Sequence, residues 1–208
     1  MQINNISLSK VQKTKCLGLL INEYLTWEAH SKSVTKKVVS TLATLRKIRK
    51  FTNPENFVKI HKSVIEPYFD YCSIVWDTLN IELTDKLQRL QNRATRIITG
   101  ATYNIRSKEV LEKLEWLPLK QRRIEQKAIM MYKIANNLAP KYMVQMFESN
   151  YGSNYYNLRN SKNDFQLPKC KTEYYGKSFA ISGAKVWNSL PESLKEAQSL
   201  KSFKKQLR

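Results

Sequence analysis

Glu66, Asp70 and Asp77 come nearest to chemistry by type and spacing. The two aspartates are seven residues apart and, with Glu66, would line one face of a helix, as carboxylates do when they hold a divalent ion for phosphodiester cleavage. Against this, Pro67 interrupts the element, no histidine lies on that face, and the same acids can partner arginines, so a structural role is the expectation. His30 and His61 are the only histidines, and neither has a cysteine or a second histidine at ligand spacing. Both are expected as partly buried packing residues. Cys16, Cys72 and Cys170 are odd in number and far apart, which argues against a disulfide framework and a zinc knuckle. With only five glycines, the chain carries no serine-nucleophile motif, phosphate-binding loop or dinucleotide fingerprint.

The stronger signal is cationic. Against 17 acids stand 36 Lys and Arg, a net charge of +19 that points to a polyanionic partner. Residues 1–50 carry 10 bases and 2 acids, 51–100 carry 6 and 6, 101–150 carry 9 and 5, and 151–208 carry 11 and 4. On a helix running from Trp27 to about Lys50, the stripe Trp27, Val34, Val38, Leu42, Leu45 and Ile48 is apolar, and Lys32, Lys36, Lys47 and Lys50 fall opposite as a rail. A solvated face usually mixes both signs, yet no acid lies between Ser31 and Lys50, and phosphate contact is therefore the favoured reading. Arg49 falls within the apolar arc, so it must snorkel or the helix must stop sooner. A second rail, Arg89, Arg93 and Arg96, lies opposite Leu83, Leu87, Leu90, Ala94, Ile97 and Ile98 on a helix that Thr84 can cap and Gly100 can end.

The elements that position these rails read as mainly α. Cys16 to Ile21, with Gly18 inside, suits a short strand that Ile6, Leu8 and Val11 could partner, and Thr26 can cap the first helix. Thr52-Asn53-Pro54-Glu55 restarts a helix carrying Phe57, Ile60, Val64 and Ile65 inward until Pro67. The block Tyr68, Phe69, Tyr71, Ile74, Val75 and Trp76 must be buried or an interface. Ser107 then caps a short helix with Val110, Leu111 and Leu114 inward, and Trp116 to Leu119 turns into a longer one holding Ile124, Ala128, Met131, Ile134, Ala135 and Leu138. Residues 148–163 read as a linker or loop; 165–171 and 177–182 are expected to pair as a hairpin around Glu173 to Gly176, before a final helix with Leu194, Leu200, Phe203 and Leu207. The predicted division is 1–25 (small β remnant), 26–147 (a helical bundle and the helical domain that follows it), 148–163 (linker or loop) and 164–208 (C-terminal extension). No apolar run is long enough for a membrane span, and MQINNISLSK lacks the features of a signal peptide, so an intracellular protein is expected. The polar N-terminus feeding straight into KCLGLLINEYLTW reads like the middle of a larger domain.

Seven segments in order, CLGLLINEYLTWEAH, SVIEPYFDYCSIVW, LQRLQNRATRIITG, WLPL, YNLRN, FAISGAKVWNSLPESLK and SLKSFKKQLR, resemble the C-terminal part of the reverse transcriptase polyprotein of non-LTR (LINE-type) retrotransposons. The resemblance implies that Leu17 and Gly18 belong to the last strands of a polymerase palm and that 27–50 is a helix of a thumb-like bundle gripping primer–template duplex. It also implies that Trp187, Asn188, Ser189, Leu190 and Pro191 close a C-terminal extension. The parent would be an RNA-directed DNA polymerase using Mg2+ on paired palm aspartates, acting in the nucleus on RNA and DNA, with palm and fingers as partners. This chain has no Asp-Asp; its four aspartates, Asp70, Asp77, Asp85 and Asp164, all follow the position where that turn would occur. The expectation is thus a nucleic-acid-binding, 5′-truncated remnant with no catalytic residue, metal or cofactor of its own. The alternative is a helical interaction or scaffold piece, or a product without function.

Overall fold

Hydrophobic periodicity dominates the architecture, which is mainly helical with antiparallel strand pairs near the N-terminus. The computed structural model describes residues 2–3, 6–7, 9–147 and 163–207, the first four by backbone alone. Strands β1 (Gln2–Ile3) and β2 (Ile6–Ser7) pair with each other, and β3 (Lys13–Cys16) pairs with β4 (Leu19–Asn22). Gly18 is therefore in the turn and not inside a strand, and Lys13–Cys16, rather than Ile6, Leu8 and Val11, supplies the partner. Leu17 (φ 45°) and Gly18 (φ 84°) are both left-handed, the two-residue geometry whose twist matches paired strands. The leucine is strained there by about 1–2 kcal/mol. Tyr71 holds the turn, its hydroxyl donating to Leu17 O at 2.8 Å.

Helix α1 (Glu28–Ile48) buries Val34, Val38, Leu42 and Leu45 as the periodicity requires. Thr26 does not cap it: its hydroxyl accepts from Asn22 at 2.9 Å, and the residue before the helix is Trp27, left-handed and buried. A 3-10 turn (Arg49–Phe51) ends the element, so Lys50 lies beyond the α-helix and Arg49 is exposed. Asn53 caps α2 (Pro54–Ile60), accepting from Asn56 N–H at 2.9 Å. A π-helical turn (His61–Ile65) then leads without a break into α3 (Glu66–Asp70), carrying the chain past Pro67, where the sequence predicts a stop. The wider turn makes room for a ring that an α-helix interior would clash with. It also brings Phe57, His61, Ile65 and Phe69 inward at four-residue steps and leaves Val64 exposed. Of the aromatic block, Phe69 and Trp76 are buried, while Tyr71 and Val75 are about half-exposed.

Helix α4 (Ile81–Thr99) buries Leu83, Leu87, Leu90, Ala94, Ile97 and Ile98, each worth about 1–3 kcal/mol of transfer free energy except the smaller alanine. Asn80, not Thr84, caps it, accepting from Leu83 N–H at 2.9 Å, and Gly100 (φ 75°) ends it. Gln88 and Gln91 fasten the Trp116–Leu119 turn, with Leu119 N–H donating to Gln88 at 2.9 Å and Gln91 donating to Leu117 O at 3.0 Å. In α5 (Ser107–Lys113), Val110 and Leu111 are buried, and Ser107 is the first helical residue rather than a side-chain cap.

Two compact units emerge: Met1–Tyr71 with Thr78–Leu119, and Cys72–Asp77 with Lys120–Arg208. The division at Leu119 falls inside the stretch 26–147 that reads as a thumb-like and a following helical domain. In the second unit α6 (Leu119–Ala135) buries Ala128, Met131 and Ile134, while Ile124, Ala135 and Leu138 are exposed and Arg123 and Lys127 are buried instead. After α7 (Lys141–Val144), the linker expected at 148–163 lies outside the described residues except for Asn163. The expected tail hairpin is replaced by helices: Thr172 caps α8 (Glu173–Lys177), and α9 (Phe179–Asn188) follows. Gly183 suits a helix here because a Cβ would press on Met131 Sδ at 2.9 Å and the Phe179 ring at 2.8 Å. Then come α10 (Glu192–Lys195) and α11 (Leu200–Gln206), and the core closes on Met131, Tyr132, Phe147, Phe165, Trp187 and Phe203. No helix among the described residues is long and apolar enough to cross a membrane.

Candidate functional site

The first unit sets α1 and α4 side by side in the same direction. At their starts Trp27 Nε1 donates to Thr78 Oγ1 at 2.9 Å; at their ends the Arg49 guanidinium occupies the space into which a Gly100 side chain would project. That contact places a cation on the carbonyl end of α4, where the helix dipole favours it. The residue expected to snorkel or fray is thus a clamp.

Each helix carries acids only at its start, Glu28 on α1 and Glu82 and Asp85 on α4, and none beyond. Residues 29–54 hold seven bases (Lys32, Lys36, Lys37, Arg46, Lys47, Arg49 and Lys50), and 86–108 hold six (Lys86, Arg89, Arg93, Arg96, Arg106 and Lys108). Dipole complementation accounts for the bases in each last turn and for none of those further back. Lys36 and Lys47 are exposed on α1, 11 residues apart and so within about 20° of each other around the helix. Lys32 is on the same side but pairs with Glu28 at 3.4 Å, and Lys50 is exposed in the 3-10 turn, off the helical rail.

On α4, Arg89 and Arg93 are exposed. Arg96 turns onto the loop after the helix, donating to Ile105 O at 2.8 Å and Ser107 Oγ at 3.0 Å, with its guanidinium 5.5 Å from the centre of the Tyr103 ring. Lys37, which the rail omits, lies 5.5 Å from the Tyr68 ring centre. Phe51 and Tyr103 belong to neither cationic rail; both follow the ends of α1 and α4. The available signal was the acid-free run on each side.

Glu66 and Asp70 stay four residues apart on α3, and Asp77 is separated from them. Asp77 lies in the second unit, 3.3 Å from Arg123 Nη1 and 2.5 Å from Lys127 Nζ, with Arg123 also stacked 4.6 Å from the Trp76 ring centre. Glu66 sits 4.0 Å from His61, whose ring stacks on Trp116 at 4.2 Å. Among the described residues no three His, Cys, Asp or Glu side chains group to hold a metal ion. Both histidines are buried; His30 Nδ1 accepts from Leu20 N–H at 3.5 Å, and burial, with Lys37 nearby, pushes its pKa down.

A cavity of about 430 Å³ in the second unit is lined by Phe147, Asn163, Asp164, Phe165, Trp187 and Lys195, among others. Its polar groups bond to one another: Lys195 Nζ donates to Asp164 at 2.7 Å and Trp187 Nε1 to Asn163 O at 2.7 Å. Comparison with family models, curated proteins and solved structures gave no match.

Proposed function

We propose that this chain is a nucleic-acid-binding piece of a retrotransposon RNA-directed DNA polymerase that grips the primer–template backbone without a polymerase active site of its own. The observation that carries the reading is the pairing of two acid-free stretches, 29–54 and 86–108, on helices that run side by side and finish together. Seven segments resembling the C-terminal part of that polyprotein support the origin. Lys36 and Lys47, with Arg89 and Arg93, take phosphates; Lys32 and Lys50 assist from the flanks, and Arg96 acts through the loop it holds. Lysine is a point charge that reads base edges poorly, so binding is to backbone and tolerant of sequence. Mg2+, palm and fingers, and a nuclear location belong to the parent polymerase.

The test is the salt dependence of binding to an RNA–DNA hybrid, with duplex DNA alongside. Four to six neutralised phosphates give a slope of log K against log salt of roughly −4 to −5. Lys36→Glu/Lys47→Glu is expected to flatten it by about 2. A flat profile, or one the double variant leaves unchanged, would instead make this a helical interaction piece whose lysines are merely solvated.

A further inference from the structure

A grip on phosphates leaves two side chains at the same end of the first unit without a role. Phe51 and Tyr103 are each 87% exposed, more than any other aromatic residue among those described. A phenylalanine offers water nothing but an apolar face, which a planar ligand can cover. The two rings belong to one place: Phe51 closes the 3-10 turn that begins with Arg49, Arg49 lies over Gly100, and Tyr103 follows three residues later. Arg96, fixed by Ile105 O and Ser107 Oγ, supports one face of the Tyr103 ring. With so much of the residue exposed, the other face is open.

Aromatic faces set among cations, in stretches of sequence without acids, are the chemistry of unpaired nucleic acid: bases stack on the rings while the backbone follows the positive charge. A duplex interior offers no base faces to such rings. We infer that the end of the first unit where α1 and α4 finish binds a single-stranded stretch of nucleic acid, its bases stacked on Phe51 and Tyr103 and its phosphates on Lys47 and Lys50. This rests on the nucleic-acid reading above and adds the strandedness of the ligand and the residues that sense it. Because every base has a π-face, the stacking is tolerant of sequence.

The experiment measures binding of the full chain to three labelled probes: an oligo(dT) strand of about 15 nucleotides, an abasic strand of equal length and charge, and a duplex of that length. The wild type is expected to prefer oligo(dT) to the abasic strand by about tenfold or more. Phe51→Ala/Tyr103→Ala should erase that preference with duplex affinity changed by less than about twofold, and Tyr103→Phe should retain it. Exposure at both sites makes the substitutions compatible with folding, which the helical circular dichroism signal verifies. The inference is overturned by a double variant that keeps the preference, by equal losses on strand and duplex, or by a wild type that does not distinguish oligo(dT) from its abasic counterpart. Duplex binding that persists in that last case leaves the backbone grip standing alone; no binding to any of the three probes overturns both.

Discussion

The two units use the same residue types in opposite ways. In the first, bases stand in water along α1 and α4 beyond the acids at each helix start, and only Lys32 of the α1 rail has an acid within reach. In the second, Arg123, Lys127 and Lys195 are buried and matched to Asp77 and Asp164. Burying a charge is tolerable only with a partner, because desolvation otherwise costs several kcal/mol. An exposed cation carries no such demand and remains available to an external anion. The contrast shows why a total of +19 does not locate a partner: the tail's positive excess includes a lysine turned inward, whereas the first helix keeps its bases outside.

The largest expected effect breaks the contrast from the buried side. Asp77→Asn leaves Arg123 and Lys127 facing a neutral amide, and should lower stability by about 3–5 kcal/mol in urea unfolding, with nucleic-acid affinity per folded molecule unchanged. An unchanged midpoint would mean these cations are not held by the acid at all. From the exposed side, Lys36→Glu/Lys47→Glu should weaken binding by about 10- to 100-fold at moderate salt while moving stability by about 0.5 kcal/mol or less. A comparable loss of stability would show that the lysines are as structural as their buried counterparts.

A smaller effect sharpens the view of how the exposed set is held. Gly100→Ala must place a Cβ in the left-handed region and against the Arg49 guanidinium, a loss of about 1–2 kcal/mol read as a fall in melting temperature. The smallest concerns His30. Its folded-state pKa is depressed below the ordinary value of about 6.5 by burial and by Lys37, so the unfolded chain takes up the proton first. The contribution of His30 to stability is therefore level above about pH 6.5 and declines as pH falls from there until the folded group also protonates. His30→Gln should remove this decline in a pH series of melting temperatures, and an unaltered series would move its origin elsewhere.

How legible this was in the sequence depended on whether a residue's partner was near in the chain. The buried face of α4 follows from leucine and isoleucine spacing alone, and Gly100 ends the helix as expected. Its start is misread because Asn80 and Thr84 are both acceptable caps by type, and only the backbone decides between them. On α6 a binary pattern sends Arg123 and Lys127 to solvent; the acid that draws them in lies 46 positions before Arg123. Residues 177–182 look strand-like beside an aromatic run and a glycine, but Gly183 serves tight contact with Met131, and the helix follows. The candidate site divided likewise. Lys36 and Lys47 were visible as a rail, while Phe51, Tyr103 and the Arg49 clamp depend on where two helices finish, which no local pattern records.

The membership of Cys72–Asp77 in the second unit bears on how the chain is made. Ser73, Trp76 and Asp77 meet Gln126, Arg123 and Lys127 of α6, so this short segment leaves the ribosome well before the helix it serves. Until that helix emerges, the nascent chain holds an indole and a carboxylate without the two cations that meet them in the finished fold, and a fragment cut to begin at Lys120 lacks both. Neither unit can be excised as one uninterrupted piece of sequence; during synthesis the second receives its acid first and its bases later.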